Sequence, residues 1–123
     1  TADVQQAVTS IASDVDIFFT PDDNTVASAM NVYAGVQLEF GKPIYCGADS
    51  MVKDGGFATV GIDYDVLAKQ VAEMADRILK GAKVADVHVE QVANPAKIIN
   101  KTTADTLGIT IPDSLLSTFT IVG

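Results

Sequence analysis

Cysteine, histidine and tryptophan are nearly absent from this chain of 123 residues. It contains one cysteine, Cys46, one histidine, His88, and no tryptophan. A single cysteine cannot form a disulfide within the chain, and a single histidine without a partner at ligand spacing does not indicate a metal site. Cys46 ends an apolar segment, where a buried and unreactive thiol is expected. We therefore expect no internal disulfide, no bound metal and no cofactor.

Basic residues are also few. Eight lysines and arginines stand against sixteen aspartates and glutamates, which gives a net charge of −8. The basic residues are scattered, whereas nucleic-acid binding requires them clustered on one surface. No apolar run approaches the roughly 20 residues that span a bilayer, and no leader pattern opens the sequence. The helical pattern that begins at once is that of a piece cut from a longer protein, and we expect no nucleic-acid partner.

Common catalytic motifs are missing as well. The sequence has no Gly-x-Ser-x-Gly elbow, no phosphate-binding loop and no G-x-G-x-x-G fingerprint. Acids are paired at Asp22-Asp23 and at Asp63 and Asp65, but acids in turns usually cap helices, and general acid–base chemistry requires a pocket. Nothing in the sequence requires an enzyme, and no catalytic residue is assigned.

The most informative segment that is present covers residues 15–25, VDIFFTPDDNT. Its apolar run without alternation predicts a strand buried on both faces, as in a parallel sheet. A polar turn and a helix start follow at once, and open α/β sheets bind ligands at such strand ends. The amide groups and positive dipole end of a helix start suit a carboxylate. The simpler interpretation is that Asp23 or Asn24 only caps the helix.

Hydrophobic spacing predicts an α/β fold with a parallel sheet flanked by helices. We expect strands at about 15–19, 44–46 and 57–62, and helices at about 3–13, 25–40 and 64–80, with one helical turn at 49–52. Gly41 and Gly81 should end the second and third helices, and Asp63 should cap the third. The third helix carries an apolar stripe that we expect in the core, formed by Leu67, Val71, Met74, Ala75 and Ile78.

The last third of the chain has a different hydrophobic pattern. Residues 88–92 and 97–100 alternate apolar and polar side chains, which predicts extended segments near a sheet edge or crossing between lobes. Asn100 should cap a short helix that Gly108 ends, and Pro112 should open another turn.

Polar side chains follow each of the three predicted strands. In a parallel sheet these strand ends lie along one rim, where acids, hydroxyls, an amide and a tyrosine would suit a small zwitterion. Packing within the first turn of the third helix is the simpler role for the tyrosine. The candidate ligand-binding residues are Thr20, Asp23, Asn24, Thr25, Asp49, Ser50, Asp63 and Tyr64.

Several segments resemble one family in order and spacing. Residues 15–29 (VDIFFTPDDNTVASA), 42–45 (KPIY), 55–64 (GGFATVGIDY), 78–81 (ILKG) and 107–112 (LGITIP) are similar to ABC-transporter substrate-binding proteins. The similar branch is the type I periplasmic-binding family that includes tryptophan and tyrosine receptors. Two positions differ from the usual family pattern. Family members often carry threonine at the position of Asp22, and they more usually have a basic residue followed by Gly-Ala-Leu where this chain has Gly55-Gly56-Phe57. The resemblance therefore does not identify the ligand.

The resemblance implies the carboxyl-terminal part of a receptor with two Rossmann-like α/β lobes. Residues up to about 62 would belong to one lobe, residues 63–95 would cross to the other, and residues 96–123 would return. The receptor would bind an amino acid, aromatic or branched, and deliver it to an ABC permease. It would be extracytoplasmic, in the periplasm or anchored as a lipoprotein by a segment outside this chain.

Two other classes stay open on the sequence alone, namely a ligand-sensing domain of a regulator and a small α/β enzyme. A regulator would carry a helix-turn-helix and a basic surface, and an enzyme would show turnover. Because a part of a two-lobed receptor leaves edges and apolar faces uncovered, we also expect this chain to be either one piece of a nicked receptor or a dimer, as a homodimer or a domain-swapped assembly hinged at 47–56.

Overall fold

The computed structural model describes residues 2–123, in which helices alternate with five short strands. The strands are β1 (Phe18–Thr20), β2 (Ile44–Cys46), β3 (Ala58–Gly61), β4 (Ala96–Asn100) and β5 (Thr120–Val122). The helices are α1 (Ala2–Ile11), α2 (Asn24–Ala27), α3 (Met30–Phe40), α4 (Asp49–Lys53), α5 (Tyr64–Leu79), α6 (Lys101–Thr106) and α7 (Asp113–Leu116), and a 3₁₀ turn covers Val84–Asp86. Within these residues no helix combines the length and apolar character that a membrane crossing requires.

The strands form one sheet in the order β1-β2-β3-β4-β5. β1, β2 and β3 are parallel, with Phe19 beside Tyr45 and Tyr45 beside Ala58. β4 is antiparallel to β3, with Ile98 opposite Thr59, and β5 is parallel to β4. The predicted α/β class, a largely parallel sheet flanked by helices, is confirmed. β4 contains the extended segment predicted at 97–100, but its antiparallel direction and the short β5 are not revealed by the hydrophobic spacing.

One face of the sheet is covered by helices α1, α3 and α4. Ile44 and Met30 are almost completely buried there, and the rings of Phe18 and Tyr33 meet edge to face with centroids 5.5 Å apart. Cys46 lies in the same core, and its burial raises the pKa of the thiol to about 12. The expectation of a buried cysteine is confirmed.

The opposite face of the sheet is covered only in part. The segment that includes α6 and α7 packs over β4 and the start of β3, where Phe57, Ile99 and Ala104 are buried. Over β1 and the end of β3 the face is bare, since Phe19 is 71% exposed and Val60 is 62% exposed. The prediction that the first strand is buried on both faces is therefore wrong for this chain, because no described element lies over Phe19.

A buried glutamine holds the sheet to the end of α3. The Gln37 side chain is fully buried; its Oε1 accepts a hydrogen bond from the Ile44 nitrogen at 2.7 Å, and its Nε2 donates to the Gly55 carbonyl at 3.0 Å. One side chain thus satisfies backbone groups at the start of β2 and after α4. Gly41 ends α3 with φ 65°, the left-handed conformation expected of it.

The predicted single helix at 25–40 is two helices. α2 ends at Ala27, and α3 begins at Met30. The Ser28 hydroxyl donates to the Asn24 carbonyl at 2.7 Å, and the Ala29 nitrogen bonds the Val26 carbonyl in a tighter turn. Serine bonding back to its own helix favours such breaks, and the chain resumes as α3 at Met30.

Helix α5 has its predicted start and length but not its predicted burial. Asp63 caps it, with Oδ1 3.0 Å from the nitrogens of the second and third helical residues. No residue of α5 is buried, and within the expected core stripe Val71 is 54% exposed. The core assignment of Leu67, Val71, Met74, Ala75 and Ile78 is wrong for this chain, because this stripe does not pack against the sheet.

The carboxyl-terminal segment returns to the sheet. Residues 88–92 are neither helix nor strand and pair with no strand, whereas the alternating pattern at 97–100 falls in β4. Asn100 caps α6 as predicted, with its Oδ1 3.0 Å from the Thr103 nitrogen, and its Nδ2 donates to the Val52 carbonyl. β4 is therefore tied both to α6 and to α4.

Candidate functional site

The carboxyl end of β1 carries four of the candidate residues. Thr20 is buried as the last residue of β1. Asp23 caps α2, with Oδ1 2.8 Å from the Thr25 nitrogen and 3.1 Å from the Val26 nitrogen. Asn24 and Thr25 are exposed in the first turn. The backbone donors expected to face a ligand carboxylate are thus occupied by Asp23, as in the simpler capping interpretation.

The end of β2 leads to the second pair of candidates. Asp49 is the first residue of α4 and is nearly buried, whereas Ser50 beside it is exposed. Asp49 Oδ2 lies 2.5 Å from Lys53 Nζ, an ion pair one helical turn apart. This hydrogen bond raises the pKa of Lys53. The Asp49 carboxylate therefore already has a cation, although Lys53 is half exposed.

The end of β3 adds Asp63 and Tyr64, and it reaches back to the first loop. Asp63 is occupied in capping α5, as described above. The Tyr64 hydroxyl donates a hydrogen bond to the Asp22 carboxylate, 42 residues earlier in the chain. That hydrogen bond is the largest cause that raises the pKa of Tyr64, and the nearby charges of Asp22 and Asp49 act in the same direction.

Backbone contacts hold these three strand ends together. The Ile62 nitrogen donates to the Gly47 carbonyl at 3.0 Å, and the Asp49 nitrogen donates to the Ile62 carbonyl at 3.1 Å. Glycine is required at position 47, because a Cβ there would lie 2.6 Å from the Asp22 nitrogen. The structure thus places the loops that carry all eight candidates along one rim, at the carboxyl ends of three parallel strands.

Asp22 is the rim residue that the sequence reasoning did not select. Its neighbour Asp23 carries the capping signal, and nothing local distinguishes Asp22 from a solvated turn residue. Its partner Tyr64 lies on another element, so only the tertiary structure brings the two together. The one sequence signal was the departure from the threonine that is common at this position in the similar family.

An apolar cavity of the structure lies away from this rim. A cavity of about 250 Å³ opens between the sheet and the α7 segment, on the incompletely covered face. It is lined mainly by apolar side chains, among them Tyr45, Phe57, Val60, Ile111, Leu115 and Phe119. None of the eight candidates lines it. The rim carries several exposed side chains, among them Asn24, Thr25 and Ser50.

The rim offers polar and acidic groups rather than a catalytic arrangement. Within residues 2–123, the side chains of histidine, cysteine, aspartate and glutamate form no group of three or more that could hold a metal ion. The exposed groups are carboxylates, an amide and the hydroxyls of Thr25, Ser50 and Tyr64. Such groups can orient a small polar molecule, and a cationic group above all, by hydrogen bonds and charge.

This chain is similar to known proteins of one family. The family model described as "ABC transporter substrate binding protein" matches residues 1–122. A "Tyrosine-binding protein" of Clostridioides difficile (strain R20291) is 32% identical over 106 residues, covering 86% of this chain and 31% of that protein.

Solved structures give the same result. An ABC domain from Streptococcus pneumonia in complex with L-Trp matches with a TM-score of 0.88 and 38% identity, covering 99% of this chain and 41% of that one. A conserved domain protein from Vibrio cholerae matches with a TM-score of 0.87 and 35% identity over the same shares. The chain thus spans between 31% and 41% of the length of these relatives. With the family model matching nearly every residue, this chain belongs to the ABC transporter substrate-binding protein family.

Proposed function

We propose that this chain forms one wall of the ligand cleft in the solute receptor of an ABC importer, and that the ligand is an amino acid with an aromatic or branched side chain. The observation that carries the proposal is the convergence of three strand ends on one acidic, hydroxyl-rich rim. An amino acid presents an ammonium, a carboxylate and a side chain, which together need charged, polar and apolar neighbours. The relatives named for tyrosine and solved with L-Trp support this ligand class.

The division into lobes is part of the same proposal. Residues up to about 62 would form one lobe, residues 63–95 would cross to the second lobe, and residues 96–123 would return. Two observations support it: α5 buries none of its residues, and β4 re-enters the sheet beside β3 in the antiparallel sense. An amphipathic helix that finds no core in one lobe fits a helix whose apolar stripe packs in another.

Transport would follow from closure of the two lobes on the ligand. Contacts made only in the closed form shift the population toward it, and an ABC permease would recognise that form. The receptor would bind the amino acid without transforming it, and it would act outside the cytoplasm, in the periplasm or as an anchored lipoprotein. An enzyme or a ligand-sensing regulator with the same rim would differ by turnover or by binding to DNA.

The test uses the full-length receptor that contains this chain. Replacement of Asn24 or Thr25 by alanine should weaken binding of L-tyrosine, L-tryptophan or L-leucine by about three- to tenfold, the effect of one lost hydrogen bond. Thr9→Ala on the exposed surface of α1 serves as the matched control and should leave affinity unchanged. Titration calorimetry measures all three variants. Equal affinities in Asn24→Ala, Thr25→Ala and the wild type would show that the rim is not the ligand site.

We also propose that the isolated chain pairs with a second copy, as a homodimer or by domain swapping at the loop 47–56. Exposed apolar side chains support this, since Phe19 and Val60 on the bare face of the sheet are both largely uncovered. Apolar surface of this kind is usually buried by another chain. Sedimentation of the 123-residue chain at micromolar concentration should show a dimer, and a monomer at all concentrations would exclude this assembly.

A further inference from the structure

The carboxylates that follow the three strand ends differ in the partners that they already have within the chain. Asp23 and Asp63 each accept two backbone hydrogen bonds at the start of their own helices. N-cap carboxylates are stabilised by those amides and by the positive end of the helix dipole. Their negative charge is therefore largely satisfied inside the chain, and losing either cap would cost helix stability.

Apart from Asp65, which lies in the first turn of α5, the remaining acids at the rim are Asp49 and Asp22. Asp49 is nearly buried and paired with Lys53 at 2.5 Å. Asp22 is exposed, and its partner is a neutral group, the hydroxyl of Tyr64. Among the described residues, no lysine, arginine or histidine forms an ion pair with Asp22, whose second oxygen is left without a hydrogen bond. Asp22 is therefore a rim acid that is held by another element of the chain and whose charge the chain does not neutralise.

The position of Asp22 is fixed rather than loose. Its backbone nitrogen lies against Gly47, where a Cβ would approach within 2.6 Å, and its carboxylate is held by Tyr64 at the start of α5. Three segments of chain thus define where the free carboxylate oxygen lies. A pre-positioned carboxylate binds a cation with little loss of side-chain freedom, which makes it a better recognition group than a mobile surface acid.

We infer that Asp22 is the residue that recognises the ammonium group of the amino acid, with Tyr64 as the positioning residue that holds its carboxylate. This inference rests on the proposed function and specifies one contact within it. An ammonium supplies the positive charge and the N–H donors that Asp22 lacks within the chain, and charge-assisted hydrogen bonds are the stronger class. A ligand without the ammonium would leave Asp22 unpaired against a rim that is already acidic.

The experiment compares ligands with and without the ammonium in the full-length receptor. The pairs are L-tyrosine with 3-(4-hydroxyphenyl)propionate, and L-leucine with 4-methylpentanoate, so that only the ammonium differs. The wild type should prefer the amino acid of the pair it binds by at least about tenfold, and Asp22→Asn should reduce that preference about tenfold by weakening the amino acid alone. Asp14→Asn makes the same charge change before β1, at the opposite end of the strand, and should preserve the preference.

Tyr64→Phe separates positioning from direct recognition. Removing the hydroxyl should lower the preference for the ammonium by a smaller factor than Asp22→Asn does, because the carboxylate remains but is no longer held. An Asp22→Asn receptor that keeps the wild-type preference overturns the inference, as does one that loses affinity for both ligands equally. A wild-type receptor that binds no amino acid overturns the proposed function and this inference with it, so the two failures are distinguishable.

Discussion

Two regions of this chain have sequences of similar helical and apolar character but opposite burial. The sheet region, residues 2–62 and 96–123, places Ile44 and Met30 at the centre of a core. The arm, residues 63–95, contains the longest helix, a good N-cap and a regular apolar stripe, yet α5 has no buried residue and Val89 is 98% exposed. An apolar stripe thus predicts that a helix forms, but not what it packs against.

The arm is held by polar contacts in place of a core. Gln70 Nε2 donates to Glu90 Oε2 at 2.9 Å and to the Gln91 carbonyl at 2.8 Å, and Arg77 pairs with Glu90 at 2.5 Å. These contacts tie the extended segment after α5 back onto the helix. Because they are exposed, each contributes little to stability, and the arm should unfold locally before the sheet region does.

The largest expected difference between the regions is the effect of truncating an apolar side chain. Ile44→Ala should lower the free energy of unfolding of the chain by about 2–5 kcal/mol, because a fully buried side chain is replaced by a cavity. Val71→Ala on α5 should change it by less than about 0.5 kcal/mol, because the side chain is already exposed. Urea unfolding followed by circular dichroism measures both.

One result would contradict the expected difference between Ile44→Ala and Val71→Ala. If Val71→Ala destabilised the isolated chain as much as Ile44→Ala, the stripe of α5 would be buried in solution, for instance between two copies. A second measurement at tenfold lower protein concentration would then separate burial within one chain from burial between chains, since only the latter depends on concentration.

Much of the fold follows from local signals in the sequence. Gly41, Asp63 and Asn100 end or cap helices as predicted, because capping depends on residues within one turn. The break between α2 and α3 was not predicted. The spacing of apolar residues does not distinguish a serine whose hydroxyl bonds to its own helix, such as Ser28, from one whose hydroxyl does not. The bare face over Phe19 could not be predicted, because it depends on which elements the chain supplies.

The candidate site was predicted to a similar extent and for similar reasons. Parallel strand order places the eight candidates on one rim, and this follows from periodicity and connection length. The sequence does not show which rim acid lacks a partner within the chain. Asp23 is bound by backbone amides and Asp49 by Lys53, and both contacts form only in the folded chain. The contact between Asp22 and Tyr64 joins two elements, and a local pattern carries no information about it.

A smaller difference should appear between two glutamines, one in each region. Gln37→Leu keeps the volume but leaves the Ile44 nitrogen without a partner, which should cost about 1–3 kcal/mol of unfolding free energy. The Gly55 carbonyl would still accept a hydrogen bond from the hydroxyl of Thr103, at 3.2 Å. Gln70→Leu removes contacts that are exposed to water, and we expect a change below about 1 kcal/mol.

Amide hydrogen exchange sharpens this second comparison. The Ile44 amide should exchange faster in Gln37→Leu than in the wild type, because its acceptor has been removed. In Gln70→Leu the faster exchange should be confined to the arm, near Ala93, whose nitrogen bonds Gln70 Oε1. Unchanged protection of Ile44 in Gln37→Leu would mean that water or a rearranged side chain replaces the amide.

The smallest expected difference concerns pH. Burial raises the pKa of Cys46 from 9.0 to about 12 and that of Tyr33 from 10.0 to about 12. Above pH 9 the unfolded chain therefore releases the thiol proton while the folded chain keeps it, so this stabilisation is complete below pH 9 and is lost toward pH 12. Between pH 9 and 10 the unfolding free energy of Cys46→Ala should therefore decrease less steeply than that of the wild type, by about 1 kcal/mol per pH unit. Tyr33 contributes less in this range.

The arm should respond on the acid side and only weakly. The hydrogen bond from Arg77 lowers the pKa of Glu90, so its contribution is present above the pKa of the unfolded chain and is lost as the pH falls through the lowered value. Because Glu90 is exposed, Glu90→Gln should leave the acid unfolding transition of the whole chain unchanged and alter only local exchange in residues 88–93. A shift of the global transition would mean that the arm and the sheet region unfold together. Their contrast in burial would then not be a contrast in stability, and the apolar stripe of α5 would have to be covered in solution.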